Sequence, residues 1–457
     1  PEVPGVHRRG GGRPAGGTMA TMSEESVSGS SLRRAARLAS VPLSAGARAL
    51  NPRSREANPR KTAEQLASVL GELKGGAMKV GQALSIFAPI LPDEFAEPLA
   101  GTLRSLQAEA PPLPAASVHR VLDRQLGTAW RTRFREFDDV PVAAASIGQV
   151  HKAVWSDGST VAVKVQYPGA DKAIKADLRQ LKMITPILQQ FEDGMNMTDL
   201  VDEIADNVLD ELDYRIEADH QRAFHAAFGG GQEPRLHVPK VYASAPKVLV
   251  SEWVEGVRLG EIIEHGTLEQ RSCAAEALTV FEFASPDLVH RMHTDPHPGN
   301  FLLSDDGVLT VIDFGACIHL PEGLPRPLIE LVAAVVDGRK EDLLDLAVEH
   351  GYVTGGREKD LTPEEVEAFL LPFAEPLSHD DFVFTVDWLK RVMAPFLDPS
   401  SPQSKLGRKF GMPKRYIMIH RILAGAVAVL AQLSAPAPYR QVIAEHFPEM
   451  VGLGPGR

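Results

Sequence analysis

The chain has 457 residues, 44% of them hydrophobic and 24% charged, with a formal net charge of −12 and only two cysteines. That composition suits a folded globular chain with a sizeable core, and the negative balance argues against a general nucleic-acid binder. Cys273 and Cys317 cannot build a disulfide framework and have no metal-ligand spacing, so a reducing, cytoplasmic setting is expected.

The charge is uneven. Residues 1–60 hold ten Arg, no Lys and four Glu, which makes this arm +6 and leaves −12 − 6 = −18 for the rest. Such an arm reads as a solvated tail, although its sign also suits anionic lipid at the inner face of a membrane. Residues 1–30 lack the apolar run of a secretory signal. From Lys61 the pattern turns helical: Leu66, Val69, Leu70 and Leu73 recur at i, i+3, i+4 and i+7. KVGQ (79–82) follows, and Pro111, Pro112 and Pro114 mark a boundary.

Beyond Val118 the character changes. Val150–Trp155 and Thr160–Gln166 are β-branched runs joined by SDGS, a hairpin signal because Asp-Gly supplies positive-φ residues. Thr198–Phe228 reads as one long helix, with Leu200, Ile204, Val208 and Leu212 on a stripe and Asp199 and Asp202 in its first turn. Val248–Trp253 is a further strand, and Leu259–Arg291 reads as helical. Phe301–Ser304 and Val308–Ile312 make a second hairpin, and the chain after Pro321 is mostly helix. Tyr416–Ala435 is apolar without interruption only after Arg421, too short to span a bilayer, and is expected as a buried helix. Strands with one long helix, then mostly helices, give a two-lobed α+β layout.

Chemistry gathers in the run HTDPHPGN, residues 293–300. Asp295 precedes Asn300 by five positions, the separation found in a kinase catalytic loop, and the triplet Asp313-Phe314-Gly315 follows the next hairpin. Asp295 can take a hydroxyl proton, while Asn300 and Asp313 offer oxygen ligands to magnesium on nucleotide phosphates. His290, His293 and His297 have helical spacing, but Pro296 and Pro298 forbid a helix there, so these histidines are expected to brace the loop rather than hold zinc. In VAVK (161–164), alternation puts Val161, Val163 and Val165 on one face and Ala162, Lys164 and Gln166 on the other. A lysine there can reach nucleotide phosphates. Its carboxylate partner lies in ELDYRIEA (211–218), and spacing alone leaves Glu211, Asp213 and Glu217 open, with Asp213 and Glu217 sharing a helix face. No Gly-rich loop precedes the first hairpin. Ala143-Ala144-Ala145-Ser146 stands there instead, offering backbone amides and one hydroxyl to phosphate.

KVGQ, AAASIGQVH, VAVK, ELDYRIEA, HTDPHPGN and DFG, in this order over roughly residues 60–440, resemble the UbiB/AarF/ADCK atypical kinases. The resemblance implies a protein-kinase-like fold that binds ATP or ADP with Mg2+ and supports isoprenoid-quinone biosynthesis or membrane-lipid homeostasis. It implies Lys164 as phosphate lysine with Glu217 as its partner, Asp295 as catalytic aspartate, and Asn300 and Asp313 as magnesium ligands. Nucleotide contacts follow at Ala143, Ala144, Ala145, Ser146, Glu252 and Val254. Lys79 and Gln82 would lie on a helix folded over the cleft, anchored by Glu211 and Asp213. The chain then divides into the arm 1–60, a helical extension 61–115, an N-lobe 116–255 and a C-lobe 256–457.

A lipid or quinone-precursor ligand and peripheral membrane contact follow from the same resemblance. Some relatives carry membrane-spanning helices, and none is evident here. The absence of an APE-like segment after DFG weakens an ordinary Ser/Thr protein kinase, and the KxGQ and ExD pieces separate the chain from antibiotic and choline phosphotransferases. A non-catalytic, nucleotide-gated scaffold for lipid-pathway enzymes is the alternative reading.

Overall fold

The structure is a computed structural model and describes residues 112–145, 147–188, 197–380, 382–398, 400–411 and 413–453. The arm, the expected extension with Lys79 and Gln82, and Ser146 lie outside the described residues.

The first described helix, α1 (Ala115–Leu126), buries Val118, Val121 and Leu122, spaced i, i+3, i+4. It rests on an antiparallel sheet built from β1 (Phe134–Phe137), β2 (Ala143–Ala145), β3 (Gly148–Trp155) and β4 (Thr160–Gln166). The first hairpin forms where Asp-Gly predicted it, with Gly158 at φ +101°. Val161, Val163 and Val165 of β4 are fully buried against α1 and Trp130. Alternation therefore turns Lys164 to the opposite face.

Two helices, α2 (Ala170–Leu188) and α3 (Met197–Asp210), pack on each other, and α4 (Tyr214–Phe228) follows. The single helix expected over 198–228 is thus two. Residues 211–213 form a turn, and Asp213 caps α4 by accepting from the Arg215 N–H. Asp213 stands before the helix that carries Glu217, so the shared face expected for this pair does not exist. Leu212 stays buried, which is why the apolar stripe runs through the break unmarked.

Next come β5 (Leu236–His237), β6 (Val241–Ala245) and β7 (Val248–Glu252). The large sheet runs β1-β3-β4-β7-β6 with β2 on β3, and α4 packs against β6 and β7. After β8 (Val257–Arg258), the helical run expected to Arg291 divides into α5 (Leu259–His265), α6 (Leu268–Ala284) and a π-helical turn at Ser285–Val289. Pro286 lies in that turn, and His290, at φ +54°, leads into β9 (Arg291–His293).

The second hairpin is β10 (Phe301–Leu303) with β11 (Leu309–Val311), and β12 (Cys317–His319) pairs with β9. The remaining elements are α7 (Arg326–Val336), α8 (Lys340–Glu349), α9 (Pro363–Ala374), α10 (Val386–Leu397), α11 (Pro402–Gly407), α12 (Ile417–Leu433) and α13 (Tyr439–His446). Mixed sheet and helix in two lobes give the α+β, kinase-like fold.

The apolar segment near the C-terminus is α12, a packed helix with Ile419, Ile422, Val429 and Leu433 buried. No helix among the described residues is long and apolar enough to cross a membrane. This helix also supports the catalytic loop. A Cβ at Gly425 would stand 2.8 Å from Pro296 Cγ, so the glycine lets the loop lie on the helix.

Candidate functional site

One strand, one helix and two loops bring the charged groups together. Lys164 projects from β4 into the cleft, and its Nζ donates to Glu217 Oε1 at 2.7 Å and Oε2 at 3.0 Å. It also donates to Asp313 Oδ2 at 3.0 Å. Sequence spacing left the lysine's partner open. The structure settles it as Glu217, because the turn at 211–213 directs the first turn of α4 at β4.

Burial drives this cluster's electrostatics. Removal from water works against the Lys164 charge, but Asp313 and Glu217 outweigh it and hold the ammonium well above the ordinary lysine range. Burial pushes the Glu217 carboxyl up to about 7, even though the Lys164 charge opposes the shift. A buried pair of this kind is weak evidence for stability, since desolvation offsets its attraction. Its value is directional: a cation is fixed in a water-poor cleft.

The catalytic loop connects β9 to β10, and the DFG segment connects β11 to β12. The two are stitched by backbone bonds, Thr294 N–H to Ala316 O at 2.9 Å and Ile312 N–H to Asn300 O at 3.0 Å. His293 bonds the Asp313 carbonyl through Nε2 at 2.8 Å, and His297 Nδ1 accepts from Gly299 N–H at 3.0 Å. These two histidines brace the loop, as their proline-broken spacing predicted. Asn300 Nδ2 donates to the Asp295 carbonyl at 3.0 Å and to Asp295 Oδ2 at 3.2 Å, which fixes the Asp295 carboxylate against the Asn300 amide.

Phe314 is fully buried, 5.0 Å from the Phe224 ring and 5.9 Å from His293. With the phenylalanine held inside, Asp313 faces Lys164, and its Oδ1 accepts from Gly315 N–H at 3.0 Å. Cys317 is a packed side chain, its thiol donating to Phe314 O at 3.7 Å and pushed well up by burial.

Glu211 lies by the DFG segment, its Cγ 3.5 Å from where a Cβ on Gly315 would stand. Asp213 caps α4 and pairs with Arg215 Nε at 2.9 Å. Ala143, Ala144 and Ala145 form β2, paired with Val150, Gln149 and Gly148, so the Ala-rich segment is a strand edge up to Ala145. Glu252 ends β7, and its carboxylate accepts from Lys240 N–H at 3.1 Å. Val254 lies in the strand-free linker between β7 and β8. Among the described residues, no cluster of three His, Cys, Asp or Glu is placed to hold a metal ion. The oxygen donors of Asn300 and Asp313 still fit magnesium, which completes its shell with phosphate and water.

Tyr214 escaped sequence reasoning. It is buried at the first position of α4, with the Lys164 ammonium 5.2 Å from its ring centroid. Its only signal was an aromatic inside the acidic run ELDY. Gly148 also went unremarked, though a Cβ there would stand 2.4 Å from the Val165 carbonyl oxygen; a glycine inside a strand pattern is the available clue to such close approach.

Comparison with known proteins agrees with this geometry. Residues 105–347 match the family model of the ABC1 atypical kinase-like domain. A probable serine/threonine-protein kinase, abkA, of Dictyostelium discoideum is 28% identical over 395 residues, covering 82% of this chain and 68% of that protein. The mitochondrial atypical kinase COQ8B of Danio rerio is 29% identical over 380 residues, which is 82% of this chain but 59% of the relative's length. Among solved structures, the Mycobacterium tuberculosis protein Rv3197, in complex with erythromycin, superposes with a TM-score of 0.66 at 44% identity. That match covers 86% of this chain and 97% of the other. With more than half of its length matched in order and a kinase-like site in place, the chain belongs to the ABC1 atypical kinase-like family, the group of the UbiB, AarF and ADCK proteins.

Proposed function

We propose that the chain binds Mg-ATP or Mg-ADP and hydrolyses ATP or phosphorylates a small lipid-related acceptor, in support of isoprenoid-quinone biosynthesis or membrane-lipid homeostasis. The observation that carries this reading is the Lys164–Glu217–Asp313 cluster beside the Asp295–Asn300 pair. Lys164 would bind and orient phosphate oxygens, and Asn300 and Asp313 would hold magnesium. Bound magnesium supplies neutralisation of charge on the phosphates. Asp295, held by Asn300, would orient an acceptor hydroxyl and take its proton.

The test is turnover of Mg-ATP by the purified protein, with and without anionic vesicles and phenolic quinone mimics. Asp295→Asn is expected to lower turnover by about 10²–10⁴-fold while keeping nucleotide affinity. Tight nucleotide binding without turnover under any of these conditions would favour the nucleotide-gated scaffold instead.

A second reading rests on one specific relative. Rv3197, 44% identical, has been solved with erythromycin, so this chain is also proposed to take a bulky amphiphilic macrolide. Calorimetric titration with erythromycin reads this directly, and no heat at millimolar ligand would dismiss it.

A further inference from the structure

Tyr214 carries two features that ordinary packing does not explain. Its ring face lies 5.2 Å from the Lys164 ammonium, within cation–π range. Its hydroxyl is buried with no hydrogen-bond partner among the described residues. That oxygen stands 3.0 Å from where a Cβ on Gly148 would be, at the base of the turn after β2. Gln166, the register partner of Gly148, completes the setting. Its Nε2 donates to Leu212 O at 3.0 Å, while its Oε1 is buried and unpaired.

A buried polar atom without a partner bears the desolvation penalty of an unmade bond, and native folds hold few of them. Here two occur together, the Tyr214 hydroxyl against Gly148 and the Oε1 of Gln166, Gly148's register partner, near the phosphate lysine. Burial pushes the phenol's pKa up, so the hydroxyl keeps its proton and can donate.

We propose that Tyr214 is a positioning residue of the nucleotide site, its ring fixing Lys164 and its hydroxyl donating to the bound nucleotide's phosphate, directly or through a water shared with Gln166 Oε1. This rests on Lys164 being the phosphate lysine. The nucleotide would then convert an orphaned donor into a satisfied one, and part of its binding energy would come from that conversion.

The experiment compares wild type, Tyr214→Phe and Tyr214→Leu in the full chain, reading the melting temperature without ligand and the affinity for fluorescent mant-ADP with magnesium. Phenylalanine keeps the ring and removes the orphan. It should raise the ligand-free melting temperature by roughly 2–4 °C and weaken mant-ADP about 5- to 30-fold. Leucine also removes the cation–π partner, and should weaken binding further than phenylalanine. Opposite signs for stability and affinity in the Phe variant separate this role from a structural one, which would lower both together. A Phe variant that binds mant-ADP as tightly as wild type overturns the proposal. Wild-type protein that fails to bind mant-ADP would sink the nucleotide reading as well, a distinct outcome.

Discussion

Two helices each bury a glutamate to the same depth, Glu217 in α4 and Glu282 in α6, both 3% exposed. Their surroundings differ. Glu217 faces Lys164 at 2.7 Å, and burial lifts its carboxyl to about 7 against that cation's pull. Glu282 sits between Phe281 and Phe283 with Oε1 unpaired, and burial alone lifts it to about 8. The small difference between the two values conceals a large one in purpose. At the site, desolvation is opposed by a fixed cation, which leaves an organised pair; in the core it is opposed by nothing, which leaves a protonated acid. A buried acid is therefore a marker of function only when its partner is in place.

The sharpest way to break the comparison is to make the first glutamate resemble the second. Lys164→Met leaves Glu217 buried beside Asp313 without its cation. The expected loss is about 3–5 kcal/mol of stability at pH 8, together with nucleotide binding. Lowering the pH to 6 should recover part of the stability, because the orphaned carboxyl can then take a proton. Adding Glu217→Gln should recover stability at pH 8 without recovering nucleotide binding. Urea unfolding at the two pH values checks the stability statements and mant-ADP titration the binding ones, and a Lys164→Met loss independent of pH would show that the carboxylate is not the source of the cost.

The second prediction concerns Glu282, and its sign follows from linkage. A carboxyl raised from 4.5 to about 8 binds its proton more tightly in the folded than in the unfolded state. Its contribution is fully present below pH 4.5 and is lost as pH rises towards 8, at about 1.4 kcal/mol per pH unit. Glu282→Gln removes the titration. The variant should match wild type near pH 5 and exceed it by about 3–4 kcal/mol at pH 8. Stability curves of the two proteins that stay parallel from pH 5 to 8 would mean that Glu282 keeps the same charge in both states.

The sequence made the candidate site's residues legible and their geometry less so. Lys164, Asp295, Asn300 and Asp313 were identified because their types and separations are set by phosphate and magnesium chemistry, and the structure places Lys164 on Asp313 and Asn300 on Asp295. The partner of Lys164 was undecided because it depends on where one helix stops and the next begins. The helix break at 211–213 keeps its apolar period, so periodicity passes over it, whereas the break after His265 is carried by Gly266 and the capping Thr267. Glu282, in ALTVFEFA, went unremarked in the sequence, although an acid in a helix with apolar residues on every side has nowhere to go but inward. Tyr214 and Gly148 had no periodic signal, because their meaning comes from two strands and a helix start converging.

The smallest effect is also the most discriminating, because it treats the starts of the two helices alike. α4 is capped by Asp213, which accepts from Arg215 N–H, and α6 by Thr267 with Gln270 in a reciprocal capping box. Asp213→Ala and Thr267→Ala should each cost about 1 kcal/mol of stability. The Asp213–Arg215 ion pair adds little to that figure, since Arg215 is 62% exposed. Binding should separate the two variants. Tyr214 and Glu217 occupy the first turn that Asp213 fixes, so fraying there loosens the grip on Lys164 and weakens mant-ADP several-fold. The Thr267 cap opens onto a helix whose glutamate serves only the core, and its loss should leave affinity unchanged. Equal weakening in both variants would mean that nucleotide affinity follows global stability, and the functional distinction between the two buried acids would no longer hold.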